Sequence, residues 1–391
     1  MKKTFIFILI LFVAYSCAEK VYDSELIEAL DTIEIIPSKA ERVNYSQIFD
    51  TVSYIQLPTD DEFLIGSIDK IIHKDSFVII LDKTITHSVF ILNEEDGTTL
   101  KIHKLGSGPG DYVAASDVIY KEESRELGIY CKMRNVLLYY DLNGNFIREE
   151  KVPYHAEKIR CFEDGYAFFA DYGIDAKLRK MKRPPNLFLV KNDKILSQAD
   201  YFNRNINKTI VWTSHPDFSE IDKNKYSINP DHSNYIYHVT PDSIYAAYHL
   251  DFGQYNIDSR YWKQAEKRGA KFLSVEDYSD NLGLCNIYPV LEDADFIFFN
   301  YKQKKKRYTA FYSKRTKTLI NADNFLNDMD QITAFYPMKL QDGKIYCLLN
   351  AEDINTAWEY LSENQLLPPD ILENVEDYDN PVIVIFTLKD F

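Results

Sequence analysis

The residues with catalytic potential in this chain are its histidines, cysteines and acidic side chains, and their spacing matches no local catalytic motif. The eight histidines are His73, His87, His103, His155, His215, His232, His238 and His249. No two of them have the spacing that places two metal ligands on one face of a helix. The sequence also lacks a Gly-x-Ser-x-Gly nucleophile elbow. Acidic pairs such as Glu122-Glu123 are abundant, but neighbouring carboxylates in turns are usually solvated, and a glycosidase would need a defined separation in space. No reaction follows from these patterns.

A glycine-rich segment, Gly106-Ser107-Gly108-Pro109-Gly110-Asp111-Tyr112, is the most distinctive local motif. Glycine-rich loops bind phosphate when they open a helix and carry a Lys-Ser/Thr pair. Here the residues that follow, Val113 to Tyr120, have strand composition, and no Gly-Lys-Ser/Thr is present. We therefore predict a structural loop between two β-units, with Gly106, Gly108, Pro109, Gly110 and Tyr112 as its structural residues.

Two tryptophans, Trp212 and Trp262, lie in segments with little strand character. Aromatic side chains on loops are typical anchors of binding surfaces. They also cap exposed sheet edges, and the sequence does not separate the two roles. Trp212 and Trp262 are the predicted ligand-binding residues.

The N-terminus has the three regions of a signal peptide. Lys2 and Lys3 precede an apolar run from Phe5 to Val13, which is followed by small residues and Cys17. The run is too short for a typical transmembrane helix, which needs about 20 residues. Ala14-Tyr15-Ser16-Cys17 looks like a lipobox, after which Cys17 becomes the acylated first residue; ordinary secretion with a free Cys17 is the alternative. We predict a signal peptide over 1–16 and a lipidated N-terminus and tether over 17–45.

The predicted mature chain is strongly acidic. Cleavage removes two lysines and no acid, so the formal charge changes from −15 to −17. This charge repels nucleic-acid phosphates and anionic lipid surfaces. The short run Lys304-Lys305-Lys306-Arg307 lies between two strand-like segments and is interpreted as a solvated hairpin tip. Nucleic acid is therefore not a predicted partner, and contact with the membrane is predicted only through the lipid.

Cysteine spacing excludes zinc ribbons and Cys-x-x-Cys redox motifs. Besides Cys17 the chain has four cysteines, Cys131, Cys161, Cys285 and Cys347, which are far apart. Three of them, Cys131, Cys161 and Cys347, lie in or beside apolar strand-like runs, where a free cysteine behaves as a small hydrophobe. No disulfide pairing is assigned.

The rest of the chain consists of short strands rich in Tyr, Phe, Ile and Val, separated by acidic turns. A unit of strand, tight turn and strand recurs six times. The turns are Asp75-Ser76, Glu123-Ser124, Asp164-Gly165, Asp242-Ser243, Asp293-Ala294 and Asp342-Gly343. Asp, Asn and Gly suit such turns because they accept positive φ or bond their own backbone.

Four of the five intervals between these turns are close to the roughly 40–50 residues of a four-stranded propeller blade. Second hairpins at Asp96-Gly97 and Asn143-Gly144 support the same period. The long interval before Asp242 indicates either an insertion or a seventh blade. We favour an insertion over Asn203 to Ser233, which is polar and contains Pro216 and Pro230. The fold class predicted is all-β: a six-bladed β-propeller of four-stranded antiparallel blades over 46–391.

A propeller avoids exposed sheet edges by closing its ring, often with one blade shared between the two chain ends. Val52 to Leu57 and Val382 to Leu388 are both strand-like and lie at opposite ends of the domain. We predict that they pair in the closing blade. Short helices are expected at Ser259 to Gly269 and Thr356 to Gln365. A second insertion, carrying Trp262, is expected over Ser259 to Leu282, on the same sector as the first.

The glycine motif resembles the Gly-x-Gly-Pro-Gly-Glu-Tyr segment of the six-bladed β-propeller lipoproteins of Gram-negative bacteria, a family related to NHL-repeat propellers. The opening phrase from Phe49 to Leu57, Asp251-Phe252-Gly253 and the lipobox cysteine add to the resemblance, which covers most of the mature chain. Asp111 stands where Glu is more frequent. The resemblance implies a fold and a place in the cell envelope, anchored to the outer membrane facing the periplasm or the cell surface. It implies no reaction.

Two function classes stay open. The first is a monomeric, non-catalytic binding or scaffold lipoprotein for a glycan, peptide or protein partner, with no cofactor. The second is a propeller enzyme of lyase or lactonase type with a metal ion in the central channel, whose ligands would come from different blades. Clustered His, Asp and Glu in the channel would favour the enzyme, whereas aliphatic and neutral residues would favour binding.

Overall fold

The computed structural model describes residues 28–171, 173, 175–201, 216–261, 280–330, 332, 334–363 and 375–391. Its strands form six separate antiparallel sheets of four strands, two of which gain a fifth, parallel strand. The sheets stand as blades around a central channel, and the first strand of each blade lies innermost. The predicted all-β, six-bladed propeller is confirmed.

The blades follow one another along the chain. Blade 1 consists of β4 (Lys70–Lys74), β5 (Phe77–Asp82), β6 (Ser88–Asn93) and β7 (Thr99–Ile102). Blade 2 consists of β8 (Asp117–Lys121), β9 (Glu126–Cys131), β10 (Val136–Tyr140) and β11 (Phe146–Lys151). Blade 3 consists of β12 (Lys158–Phe162), β13 (Gly165–Phe169), β14 (Pro185–Lys191) and β15 (Lys194–Tyr201). Blade 4 consists of β16 (Ser219–Asp222), β17 (Lys225–Ile228), β18 (Tyr235–Val239) and β19 (Ile244–Asp251). Blade 5 consists of β20 (Cys285–Glu292), β21 (Phe296–Gln303), β22 (Lys306–Ser313) and β23 (Leu319–Leu326). Blade 6 consists of β24 (Tyr336–Gln341), β25 (Lys344–Leu349), β26 (Val382–Leu388) and the N-terminal β3 (Phe49–Gln56).

The ring closes as predicted, with one blade made from both chain ends. β3 pairs antiparallel with β26, and Ile55 lies opposite Ile383 while Ser53 lies opposite Ile385. β3 is the outermost strand of blade 6, so the first long strand of the domain completes its last sheet.

The segment before β3 also belongs to the propeller. β1 (Asp31–Glu34) pairs in parallel with β19 at the outer edge of blade 4, and β2 (Glu41–Asn44) pairs in parallel with β23 at the outer edge of blade 5. The side chains of Ile33, Ile35 and Val43 are buried there. The tether predicted over 17–45 therefore has its C-terminal part built into the fold. The sequence did not predict these two short strands, because most of their residues are polar and they form only by pairing with strands of the blades.

The insertion predicted between blades 3 and 4 contains two strands of blade 4. β16 and β17 fall inside Asn203 to Ser233 and form the inner hairpin of that blade. The recognised hairpin at Asp242-Ser243 is the outer one, whereas the other five lie between the first and second strands of their blades. The sequence did not predict the inner hairpin of blade 4 because β16, Ser-Glu-Ile-Asp, has only one apolar residue. The long interval before Asp242 is therefore explained by the inner hairpin of blade 4, and no seventh blade is needed.

The hydrophobic core is divided among the interfaces between neighbouring blades. Six buried clusters correspond to the six blade interfaces, including the interface between blades 6 and 1. In the cluster between blades 5 and 6, Phe49 stacks on Phe386 and meets Phe311 edge to face. Because the middle strands of each blade pack against neighbouring blades on both faces, their sequences are nearly continuous runs of apolar residues.

Helices are few among the described residues. α1 (Tyr45–Ile48) precedes β3, and α2 (Ala351–Glu363) connects β25 to β26. α2 overlaps the helix predicted at Thr356 to Gln365 and begins five residues earlier. The described part of the other predicted helix is Ser259 to Tyr261, which is helical. Within the described ranges, no helix is both long enough and apolar enough to cross a membrane.

Candidate functional site: the central channel

A cavity of about 490 Å³ lies in the central channel. Every blade contributes to its wall through the innermost strand. Representative lining residues, from blades 1 to 6, are Lys70, Lys121, Arg160, Glu220, Tyr288 and Lys339. Because the six inner strands are spaced along the whole sequence, these side chains form one site only when the ring closes.

Five charged residues from blades 1 to 4 form an ion network at the N-terminal ends of the inner strands. Lys70 Nζ lies 2.7 Å from Asp117 Oδ1 and 3.3 Å from Asp217 Oδ2. Arg160 bridges the same two acids, at 3.0 Å to Asp117 and 2.8 Å to Asp217. Lys158 Nζ lies 3.3 Å from Asp217 Oδ2. Blades 1 and 4 are opposite in a ring of six, so the contact between Lys70 and Asp217 crosses the channel and narrows it at this end.

Four of the five side chains in the network are buried, Asp217 is partly exposed, and both carboxylates are ionised. Asp117 is fully buried and also accepts the backbone N–H groups of Val118 and Ile159. Burial alone would raise the pKa of Asp117, but Lys70 and Arg160 outweigh it and hold that pKa below its ordinary value. For Asp217, too, burial is outweighed by Lys158, Lys70 and Arg160, and its pKa is lowered.

Blades 5 and 6 supply a mostly neutral wall. Tyr288, Pro289 and Val290 line the cavity from β20, and Pro337 and Met338 line it from β24. β20 and β24 both have a register irregularity at these positions, between Ile287 and Val290 and between Pro337 and Lys339. The cavity therefore has an ionic side and an apolar, aromatic side.

Three further lysines border the cavity beyond the network. Lys74 Nζ lies 3.2 Å from Glu220 Oε1. Lys121 Nζ lies 4.7 Å from the centre of the Tyr139 ring. Lys339 Nζ lies 5.4 Å from the centre of the Tyr346 ring. Within the described part of the chain, neither Lys121 nor Lys339 has a carboxylate oxygen within 4 Å.

The channel lining has an excess of cationic side chains, although the whole chain has a net charge of −15. The cations are Lys70, Lys74, Lys121, Arg160 and Lys339, and the acids are Asp69, Glu122, Asp217 and Glu220. Asp69 accepts hydrogen bonds from the backbone of Lys83 and Thr84, and Glu122 is exposed on a turn. Such a site attracts negatively charged groups.

A second buried ion cluster joins blades 4 and 5 but does not line the cavity. Glu292 Oε1 receives His238 Nε2 at 2.8 Å and Lys314 Nζ at 2.6 Å. Burial would raise the pKa of Glu292, but His238 and Lys314 lower it overall. Its position at the end of β20 favours a role in holding the two blades together.

The glycine motif lies between β7 and β8, that is, between blades 1 and 2. Tyr112 is fully buried and donates its hydroxyl hydrogen bond to the carbonyl of Ile102 at 2.9 Å. The N–H of Gly108 donates to Asp111 Oδ2 at 2.8 Å. Gly110 has φ +80°, and a Cβ there would lie 2.8 Å from the Phe146 ring, so only glycine fits. The loop does not contribute to the channel cavity.

The other predicted site residues, Cys17, Trp212 and Trp262, lie outside the described residues, and their roles stay predictions. Sequence reasoning missed the channel residues. One feature of the sequence could have indicated these residues. Lys70, Asp117 and Lys158 each begin an apolar strand, where a charged side chain is expected to be buried and to need a partner. Their partners are on other blades, so spacing along the chain did not connect them.

The described residues include no group of three or more His, Cys, Asp and Glu side chains placed to hold a metal ion. The metal-dependent alternative stays an untested prediction. The cysteines Cys131, Cys161, Cys285 and Cys347 are free thiols. Cys161 borders the cavity, and burial raises the pKa of its thiol to about 12, so it is protonated at neutral pH.

Solved structures similar to this one include several bacterial proteins. An exported protein of Bacteroides fragilis has a TM-score of 0.73 and 18% sequence identity, over 92% of this chain and 100% of that chain. A DUF4221 family member of Bacteroides vulgatus has a TM-score of 0.47 and 9% identity, over 87% and 97%. A virginiamycin B lyase of Staphylococcus aureus has a TM-score of 0.42 and 11% identity, over 87% and 99%. These likenesses concern the fold alone, and no curated protein sequence matches the chain. The model of the family described as a domain of unknown function, DUF4934, matches residues 30–387, and the chain therefore belongs to that family.

Proposed function

We propose that this protein is an exported lipoprotein, anchored in the outer membrane through Cys17, whose propeller binds one end of a glycan or peptide in the central channel. The signal-peptide pattern, the cysteine that follows it and the likeness to an exported Bacteroides protein support the first part. The channel supports the second part.

The observation that carries the proposal is the asymmetric cavity on the ring axis. About 490 Å³ is within the usual range of small-ligand pockets. The ion network narrows one end, so a ligand enters from the other end and stops against charged groups. Apolar and aromatic side chains with a few convergent polar groups are the usual composition of such sites.

The test is binding to glycan and peptide arrays by the wild type and by a channel-filling variant, Val290→Trp. Val290 lines the cavity from the neutral wall and is partly buried against the core between blades 4 and 5, so the larger side chain should fill the cavity, and circular dichroism checks that the variant is folded. Ile147→Trp is the matched control, because Ile147 is exposed on the outer strand β11 of blade 2.

We expect a ligand that binds the wild type and Ile147→Trp but not Val290→Trp. Equal binding by a folded Val290→Trp variant would move the site away from the channel. Absence of any bound glycan or peptide for the wild type would contradict the binding function itself.

A further inference from the structure

Lys339 is an interior channel cation without a paired carboxylate among the described residues. It lies on β24 beside the register irregularity and opposite Tyr346 of β25. The ammonium faces the Tyr346 ring, and no carboxylate oxygen of a described residue lies within 4 Å of it. Long cationic side chains in partly desolvated positions normally have a paired anion. Here that partner is absent from the described protein atoms.

The surroundings of Lys339 do not supply the missing charge. Lys74 and Lys70 of β4 face it and repel it. Glu220 of β16 and Asp342, in the turn after β24, attract it. Glu220 is already bonded to Lys74, and Asp342 accepts a hydrogen bond from Gln341 on the exposed turn. The local balance therefore leaves room for one more negative group.

We propose that the channel binds an oxyanion, a carboxylate or a phosphate or sulfate ester, against Lys339, with the rest of the ligand on the neutral wall of blades 5 and 6. This inference rests on the channel being the ligand site, as proposed above. It adds the chemical class of the ligand: an acidic glycan such as a uronic acid or sulfated sugar, or a peptide end carrying a free carboxylate. An ammonium acts as a point charge and accepts planar and tetrahedral oxyanions alike.

The proposal has a pH signature. The pKa of Lys339 is lowered to about 7, chiefly by burial; Glu220 and Asp342 oppose this lowering, and Lys74 and Lys70 add to it. Lys339 is therefore cationic below neutral pH and neutral above it. An oxyanion binds the cationic form, so affinity should increase as pH falls from 9 to 6.

The test is isothermal titration calorimetry with sulfate, glucuronate and glucose at pH 6 and pH 9. Sulfate and glucuronate keep their charges across this range, so a change in affinity reports on the protein. Glucose has the same ring as glucuronate without the carboxylate. The variants are Lys339→Gln, Lys339→Arg and, as a matched control, Lys151→Gln, because Lys151 is exposed on β11 away from the channel.

We expect sulfate or glucuronate, but not glucose, to bind the wild type at pH 6 and to bind at least about tenfold more weakly at pH 9, the effect of losing one charge-assisted contact. Lys339→Gln should bind at least about tenfold more weakly at pH 6. Lys339→Arg should keep binding at both pH values, since a guanidinium does not titrate there. Lys151→Gln should match the wild type. Preference for sulfate over glucuronate, or the reverse, distinguishes ester from carboxylate ligands.

Several results would overturn the proposal. They are equal binding of glucose and glucuronate, unchanged binding by a folded Lys339→Gln variant, or an equal loss in Lys151→Gln. If an array ligand is lost in Val290→Trp but kept in Lys339→Gln, the channel function stands and the oxyanion class is wrong. If Val290→Trp keeps the array ligand while Lys339→Gln loses sulfate, Lys339 is an oxyanion site but the array ligand binds outside the channel, and the proposed function is wrong.

Discussion

At the scale of single residues, Asp117 is the centre of the buried ion network. Its two oxygens meet Lys70 and Arg160 and two backbone N–H groups, so a fully buried carboxylate is completely hydrogen bonded. Buried ion pairs add little stability over apolar residues of the same shape, but breaking one leaves charges unpaired. The network therefore serves better as a specific link between blades, at the narrow end of the channel, than as a source of net stability.

Asp117→Asn should lower the free energy of unfolding by about 3–5 kcal/mol, because Lys70 and Arg160 lose a buried counter-charge. Asp50→Asn is the matched control: Asp50 is exposed on β3, and we expect a change below about 0.5 kcal/mol. Urea unfolding monitored by circular dichroism measures both. A difference of under about 1 kcal/mol between the two variants would contradict a structural role for the network.

The same residue determines part of the acid stability. The pKa of Asp117 is lower in the folded protein than its ordinary value. The unfolded chain then binds more protons at acid pH, so the stability from this carboxylate is complete above its ordinary pKa and is lost as pH falls through the lowered one. Asp117→Asn should accordingly flatten the decline of stability with falling pH below about 4, the ordinary pKa of Asp.

At the scale of secondary structure elements, the sequence predicted long apolar strands well and short polar strands poorly. Val382 to Leu388 and its pairing with the strand from Phe49 were predictable because both have runs of β-branched and aromatic residues. β1, β2 and β16 were not, since each has four residues and one buried or apolar side chain. Such strands acquire their conformation from neighbouring sheets rather than from their own propensity.

Because β1 and β2 complete the outer edges of blades 4 and 5, removing them should expose those edges without opening the ring. A chain beginning at residue 45 should melt at a lower temperature than a chain beginning at residue 28, with the same circular dichroism signature. Burial of Ile33, Ile35 and Val43 contributes roughly 1.5–3 kcal/mol each before the entropy of ordering the segment is subtracted. Equal melting temperatures would show that 28–44 is a tether after all. Differential scanning calorimetry measures the difference.

At the scale of the whole molecule, the ring was predictable and the channel was not. The unit of strand, turn and strand recurs at intervals close to the length of a four-stranded blade, and this spacing predicted the propeller. The candidate site is assembled from Lys70, Asp117, Arg160, Asp217 and Lys339, which are spread over more than half of the chain. Each is an ordinary charged residue within its own blade. Only the closed ring brings them together, so local motifs could not reveal the site.

The proposed anchor is tested by Cys17→Ser. We expect this variant to take up no labelled palmitate and to leave the membrane fraction, because the acylated side chain is missing. Cys285→Ser is the matched control, as Cys285 is buried inside the propeller and should not change labelling. Palmitate incorporation into Cys17→Ser equal to that of the wild type would contradict the lipoprotein proposal.

The closing of blade 6 by β3 has a consequence for the order of events in biosynthesis. β3 ends at Gln56, but its partner β26 begins only at Val382. At roughly 5–20 residues per second, the ribosome needs on the order of 20–60 s to make the intervening chain. β26 is the only sheet partner of β3, so for that time the earliest long strand has no native strand partner, and unpaired strand edges favour wrong pairing. If the protein is exported, the newly emerged N-terminal strands would need protection by a holdase until the last strand arrives.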